Sequence, residues 1–390
     1  MDTDKKLKIL GEQARFDSGG CPSMYEKKFN APFIRHTTGK NGCPVKLFEV
    51  LQTNACKHNC RYCVNRSGRN FTRMSFTPEE LASTFMEYCK GKIADGLFLS
   101  SGVVKNSNYT QEEILKTLIL VREKYNFKGY IHTKIMPGAD TAIINEVSKY
   151  TDRMSVNLEG VSQKYLSELA PNKNFNHLTE NLKKISDIDK NKSLKAGLVT
   201  QLVVGGASET DSEIVNLADN LYKNLNLWRV YYSKFEPVPE TPLEGHKPCT
   251  QWREVRLYQA DWLLRKYGFR PQELPFDKKG GLPQDTDPKT AWAKLHPEFF
   301  PIEINTAPFE KILRVPGIGR RGAYRITTIR RHTKLLDPDI LKKMGIRTAR
   351  SNNYMLLNGK YFGRETTRWG ESFSEKAEEG SYQPFLWEEF

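Results

Sequence analysis

The sequence predicts an α/β fold in which parallel strands alternate with helices, followed by a smaller helical module. Two observations carry this. Between residues 45 and 268, short apolar stretches alternate with amphipathic ones about six times. That order builds parallel strands joined by right-handed crossovers. After residue 306 the strands give way to a helix, a tight glycine turn and a second helix. Both an open doubly wound sheet and a barrel fit the alternation. Six units, short of eight, suit a partial barrel.

Each unit can be read in turn. "VKLFEVLQT" is a buried strand. "TPEELASTFMEYCKGK" is a helix with Thr77 as N-cap, Pro78 in the first position and Glu80 in the third. "GLFLSS" is a strand, and "TQEEILKTLILVREKY" a helix that Thr110 would cap. The strands "GYIHTKIMPG", "RMSVNLEG", "KAGLVTQLVVGG" and "WRVYYSKFEP" follow. Between them lie the helix "ADTAIINEVSKY", helices within 161–188, and "TDSEIVNLADNLYKNL"; "CTQWREVRLYQADWLLRKYG" closes the series. Residues 1–44 read as an irregular arm with one short helix near Lys5–Phe16. Residues 269–306, rich in Pro, Gly and Asp, read as a linker or wrapping segment. The helical module is expected over 307–358 and a C-terminal tail over 359–390.

Bulk properties narrow the function classes. No segment of the 390 residues approaches eighteen consecutive apolar positions, which excludes a transmembrane helix. The N-terminus is charged and lacks a secretory apolar core, so a cytoplasmic location is expected. A net charge of +14 favours a polyanionic partner such as nucleic acid.

Seven cysteines is an odd number. Cys21, Cys43, Cys89 and Cys249 are scattered, whereas Cys56, Cys60 and Cys63 fall within eight positions of the loop "TNACKHNCRYCVNR". In a cytosolic chain, spaced cysteines more often bind metal or react than pair. Structural zinc would want a fourth ligand, and only His58 is nearby. A [4Fe–4S] cube takes four cysteines as a rule, so three leave one iron open to a small chelating ligand.

The spacing x3 then x2, with Tyr62 just before the last cysteine and the loop following the first strand, resembles the radical S-adenosylmethionine (radical SAM) superfamily. The resemblance implies a partial (β/α)6 barrel of the TIM type. It also implies one [4Fe–4S] cluster on Cys56, Cys60 and Cys63, whose open iron chelates S-adenosylmethionine. In that family an electron, here from an external reductant such as flavodoxin or ferredoxin, cleaves the sulfonium. The resulting 5′-deoxyadenosyl radical abstracts hydrogen from a C–H bond, while the protein orients and excludes solvent. By the same resemblance Ser100, Ser101 and Gly102 stand where the family meets the methionyl amino group, without its glutamate. Asn157 and Glu159 would meet the ribose or carboxylate. Val203 and Val204 would flank the adenine, and Tyr231 to Phe235, with Tyr232 among them, would edge it. Basic residues on the predicted strands, Lys134, Arg153, Arg229 and Lys234, would hold a carboxylate or phosphate, or form salt bridges inside the barrel.

"LRVPGIGRRGAYRI" brackets Ile318 with Gly317 and Gly319, and Arg320, Arg321, Arg325, Arg330 and Arg331 follow. Turn amides and a helix N-terminus suit a phosphate. The stretch resembles a helix-hairpin-helix element, which grips DNA phosphates without reading sequence. Lys342, Lys343, Arg347 and Arg350 would extend the basic surface. The pieces "LQTNACKHNCRYCVNR", "GLFLSSGV", "GYIHTKIMPGA", "DRMSVNLEG", "LAPNK" and "FEKILRVPGIGRRGAYRI" together resemble radical SAM proteins of DNA modification or repair, linked by gene context to uracil-DNA glycosylases. The upstream segment holding Cys21 and Cys43 departs from that family's pattern, which argues against an auxiliary cluster and suits a phage-encoded member. The implied activity is modification of a DNA base, including isomerisation of an amino-acid adduct on thymidine. Alternatives are radical repair of a damaged base, RNA modification, and a non-catalytic iron–sulfur redox sensor that binds DNA.

Overall fold

The computed structural model describes residues 3–16, 31–38, 43–190 and 194–363. Cys21 and residues 364–390 of the expected tail lie outside them. The chain divides into two compact units, one of Met1–Glu209 with Leu217–Glu254, the other built mainly from Val255 onward together with Thr210–Asn216. The boundaries fall inside two helices, Asp211–Leu225 and Gln251–Tyr267, that the sequence places wholly in the barrel.

In the first unit, α1 (Thr3–Ala14) buries Leu7, Leu10 and Ala14. The strand β1 (Ile34–Thr38) follows, within the arm expected to be irregular, and pairs antiparallel with β2 (Pro44–Leu51). Then come α2 (Pro78–Lys90), β3 (Gly96–Ser100), α3 (Ser107–Ile119), β4 (Tyr130–Lys134), α4 (Thr141–Ser148) and β5 (Arg153–Ser155). They are followed by α5 (Gln163–Leu169), α6 (Phe175–Lys190), β6 (Leu198–Val204), α7 (Asp211–Leu225), β7 (Arg229–Lys234) and α8 (Gln251–Tyr267). The seven strands lie in chain order, and β2 to β7 are all parallel. This is a curled half-barrel sheet, as the alternation of strands and helices predicts.

The two sheet faces differ in chemistry. Side chains alternate along a strand, so residues in register share a face. Phe48 of β2 packs against Phe85 and Tyr88 of α2, with ring centroids 5.6 and 5.5 Å away, which marks the helix-covered face. The opposite face carries Glu49, Phe98, His132 and Arg153 in one row across β2 to β5. The Phe98 and His132 rings meet there in a tilted pair with centroids 4.6 Å apart, and Arg153 reaches Tyr231 Oη of β7 at 3.4 Å.

Two helix starts test the capping rules. Thr77 accepts from Glu80 N–H and the Glu80 side chain accepts from Thr77 N–H, a complete capping box. Thr110, expected to cap the next helix, lies inside α3. Asn106 caps it, with Oδ1 accepting from Tyr109 N–H at 2.8 Å. The Thr110 hydroxyl is turned inward and bonds both the amide and the carbonyl of Val104 at 2.9 Å.

In the second unit, α9 (Pro288–Leu295) arises within the expected linker, capped by Asp287. β8 (Ile302–Glu303) follows, then α10 (Phe309–Arg314), α11 (Arg320–Ile329), α12 (Pro338–Lys343), α13 (Thr348–Ser351), β9 (Met355–Leu357) and β10 (Lys360–Tyr361). The three strands form a small sheet in the order β10, β9, β8. No helix among the described residues is long and apolar enough to cross a membrane.

Candidate active site

Residues 53–75 form a loop from the C-terminal end of β2, clamped at its base. Thr53 Oγ1 donates to Met74 O at 2.9 Å, Asn54 Oδ1 accepts from Met74 N–H at 2.6 Å, and Asn54 Nδ2 donates to Thr72 O at 3.0 Å. Inside the clamp lie the three cysteines, with Cys60 buried and Cys56 and Cys63 half-buried. The amide of Val103 donates to Cys56 Sγ and that of Asn65 to Cys63 Sγ, each at 3.4 Å. Burial pushes the Cys60 thiol up, and the Lys173 ammonium opposes it. Burial first, then Lys173 and Lys57, drive His58 down to about 4, so the imidazole is neutral. No three His, Cys, Asp or Glu side chains among the described residues approach closely enough to hold a single ion. Three cysteines on one loop, with amides aimed at two sulfurs, fit a [4Fe–4S] cluster.

The end of β3 runs beside this loop. Ser100 and Gly102 bond the β2 end and loop start through Gln52 N–H to Ser100 O at 2.8 Å and Gly102 N–H to Thr53 O at 2.7 Å. Lys57 N–H donates to Val103 O at 2.8 Å. A Cβ on Gly102 would stand 2.4 Å from Ala55 O and 3.1 Å from Cys56 Cβ, so no larger residue fits. Ser101 Oγ donates to Gly102 O at 2.8 Å.

Opposite stands a buried network from three segments. Tyr62 Oη donates to Glu159 Oε2 at 2.5 Å, and Lys173 Nζ donates to Glu159 Oε1 at 2.8 Å. Glu159 is 3% exposed and has φ +63°, an uncommon left-handed backbone for a glutamate. Burial would raise its pKa, but Lys173 and Lys134 outweigh burial and hold the carboxyl below its ordinary value. Burial and the Glu159 charge push the Tyr62 phenol well above its ordinary value, so it remains a donor. Lys173 was not among the site residues expected from the sequence. Its only signal there is the stretch "LAPNK", with no spacing that ties it to the cysteines.

Other expected contacts fall in different places. Asn157 Nδ2 bonds Gln201 Oε1 at 3.1 Å, on the polar sheet face. Val203 and Tyr231 belong to that face by register with Gln201 and its neighbours. Val204 and Tyr232, both fully buried, alternate to the opposite face with Leu202 and Val230. Lys234 pairs with Glu236 at 2.7 Å, and Arg229 stacks on the Tyr231 ring at 5.1 Å. Cys43 is exposed at the start of β2, and Cys89 and Cys249 are half-buried elsewhere.

In the second unit α10 and α11 are joined by residues 315–319. Gly317 has φ +83°, and a Cβ there would meet Arg347 O at 2.9 Å. Gly319 is the N-cap of α11, and Arg320, Arg321 and Arg325 are exposed along that helix. Arg325 Nη1 donates to Met344 O at 2.6 Å. Arg330 is a structural tie, donating to Ile304 O at 2.7 Å and Ala307 O at 2.6 Å.

Residues 50–221 match the family model of the Radical SAM superfamily. A biotin synthase of Persephonella marina is 31% identical over 107 residues, which cover 27% of this chain and 29% of that protein. Among solved structures, a methylornithine synthase is 15% identical with a TM-score of 0.47, over 58% of this chain and 63% of its own. The [FeFe]-hydrogenase maturase of Carboxydothermus hydrogenoformans is 13% identical with a TM-score of 0.45, over 55% and 50%. The chain thus spans under two thirds of the length of each.

Proposed function

We propose, from the premise that residues 50–221 form a radical SAM domain, that the protein modifies a base of DNA. The radical SAM family uses a [4Fe–4S] cluster and S-adenosylmethionine. When bound, this pair supplies a 5′-deoxyadenosyl radical that removes hydrogen from a C–H bond. The chain's own residues do the rest. Cys56, Cys60 and Cys63 hold the cluster. The backbone of Ser100 to Gly102 and the Tyr62–Glu159–Lys173 network form two walls of the cofactor site. The polar sheet face with Lys134, Arg153 and Tyr231 receives the substrate.

The observation that carries the DNA reading is the α10–α11 hairpin with its arginines on the same chain as the cysteine loop. Phosphate contacts at such a turn position a duplex without choosing a sequence. A substituent on C5 of thymine projects into the major groove, so it is the most accessible target; attack on other atoms requires the nucleotide to be flipped out. Rearrangement of an amino-acid adduct on the 5-methylene of thymidine, begun by hydrogen abstraction from the adduct, is the reaction favoured here, with electrons from a flavodoxin- or ferredoxin-type reductant.

The test is 5′-deoxyadenosine formation by reduced, anaerobically reconstituted protein, with and without DNA from its own source. Strong stimulation by DNA is expected, with the product identified by mass spectrometry of its nucleosides. Equal formation with and without DNA would remove the DNA reading, and stimulation by RNA alone would replace it. Cys60→Ala is expected to abolish both the brown cluster absorption and the reaction.

A further inference from the structure

The hairpin turn encloses a buried amino group. Lys289, near the start of α9, is 9% exposed, and its Nζ donates to Ile318 O at 2.7 Å and Leu313 O at 3.0 Å. Its Nζ also lies over the Tyr267 ring, 4.8 Å from the centroid. The two carbonyls belong to the last turn of α10 and to the link into α11. On the other side, α13 closes against Gly317, as the Arg347 O contact shows. Arg350 bonds Asp287 and, at 2.7 Å, Thr290 Oγ1, which ties α13 to the N-terminus of α9.

A trans peptide points its N–H opposite to its C=O. Drawing Ile318 O toward Lys289 therefore turns the amide of Gly319, the N-cap of α11, away from it. The amides of residues 319–322 precede the first intrahelical bond, from Ala323 N–H to Gly319 O. We propose that Lys289 is the positioning residue of the hairpin. It pins the Ile318–Gly319 peptide from within and so sets the amides that an anionic phosphate would meet, without touching the phosphate itself. Burial lowers Lys289 to about 7 while Asp287 opposes that shift. Either protonation state keeps two N–H donors for the two carbonyls.

The phosphate half of this inference rests on the DNA reading above; the turn half does not. Two measurements on the full chain separate them. In the first, hydrogen exchange of the turn amides Val315 and Ile318, which bond Ile312 O and Val315 O, is compared between the wild type and Lys289→Met, which keeps the apolar stem. Exchange is expected to accelerate at least about tenfold, since two hydrogen bonds to buried carbonyls are lost. Unchanged exchange would overturn the proposal. In the second, affinity for a fluorescent duplex oligonucleotide is measured at fixed ionic strength. Lys289→Met should bind about tenfold more weakly with the cluster absorption retained. Lys289→Ala should be weakened similarly and recover in n-propylammonium, which replaces the deleted atoms, but not in tetramethylammonium, which has no N–H. Weakening without such recovery would reduce Lys289 to general packing and overturn the proposal. If the wild type itself binds no duplex, the DNA reading fails, and the exchange experiment still decides whether Lys289 sets the turn.

Discussion

The Glu159 carboxyl is held below its ordinary pKa although burial pushes it up, because Lys173 and Lys134 stand near it and Lys173 and Tyr62 both donate to it. Neither distance in that network is marginal, so each partner's loss should be felt differently. Lys173→Met removes the ammonium that is hydrogen-bonded to a buried carboxylate and should cost about 3–5 kcal/mol, less whatever the charge of Lys134 makes good. Adding Glu159→Gln should restore most of that loss, since the amide oxygen still accepts from Tyr62. Anaerobic denaturant unfolding of the two single variants and the double variant measures the coupling; equal stability of Lys173→Met with and without Glu159→Gln would dismiss the ion pair. At this scale the cysteines were legible because their spacing is local in the chain. Lys173 was not, because a salt bridge across fourteen positions depends on where two loops meet. Val204 and Tyr232 show a related limit. Residue type marks a strand as buried, but a shift of one residue exchanges the faces.

Among the elements, the six parallel strands and their helices were readable from apolar period and punctuation. The exceptions have physical causes. β1 is five residues long and gains its pairing from β2, which no local pattern reports. β5 stops after three residues because the chain leaves the strand and reaches a left-handed backbone at Glu159, where a single bridge to Leu202 remains. The start of α3 was misplaced by four residues because two good cap residues compete, and Asn ranks above Thr. Asn106→Ala should therefore cost about 1 kcal/mol in urea unfolding, and Asn106→Asp should cost far less because its carboxylate still accepts from the Tyr109 amide. Equal losses in the two variants would refute Asn106 as the cap. The helix, glycine turn and helix of α10 and α11 were legible from the glycines between two helical stretches, but the lysine inside the turn was not. Lys289 lies some thirty positions upstream, in a stretch whose composition reads as linker.

At the scale of the whole molecule, the +14 charge bears on how a duplex would be held. Diffuse charge and a defined grip differ in how they respond to salt. Each phosphate contact contributes a slope of about −0.9 to the dependence of log affinity on log salt. Replacing both Arg320 and Arg321 by Ala should flatten that slope by about 2 if each meets a phosphate. Replacing two lysines of α6, the exposed Lys183 and the half-buried Lys184, should change it far less. Equal changes would mean that the hairpin has no special share in binding. Chain order adds a constraint of another kind. Each strand of the large sheet pairs with the strand made just before it, so the sheet grows along one edge as synthesis proceeds, one helical crossover at a time. The cysteine loop is made early, and the partners it bonds farthest along the chain, Lys173 of the Glu159 network and then Pro239 and Glu240, all precede the α10–α11 hairpin. A nascent chain can therefore present a finished metal-binding loop while the residues that form the hairpin are still untranslated, so iron–sulfur loading need not wait for release from the ribosome.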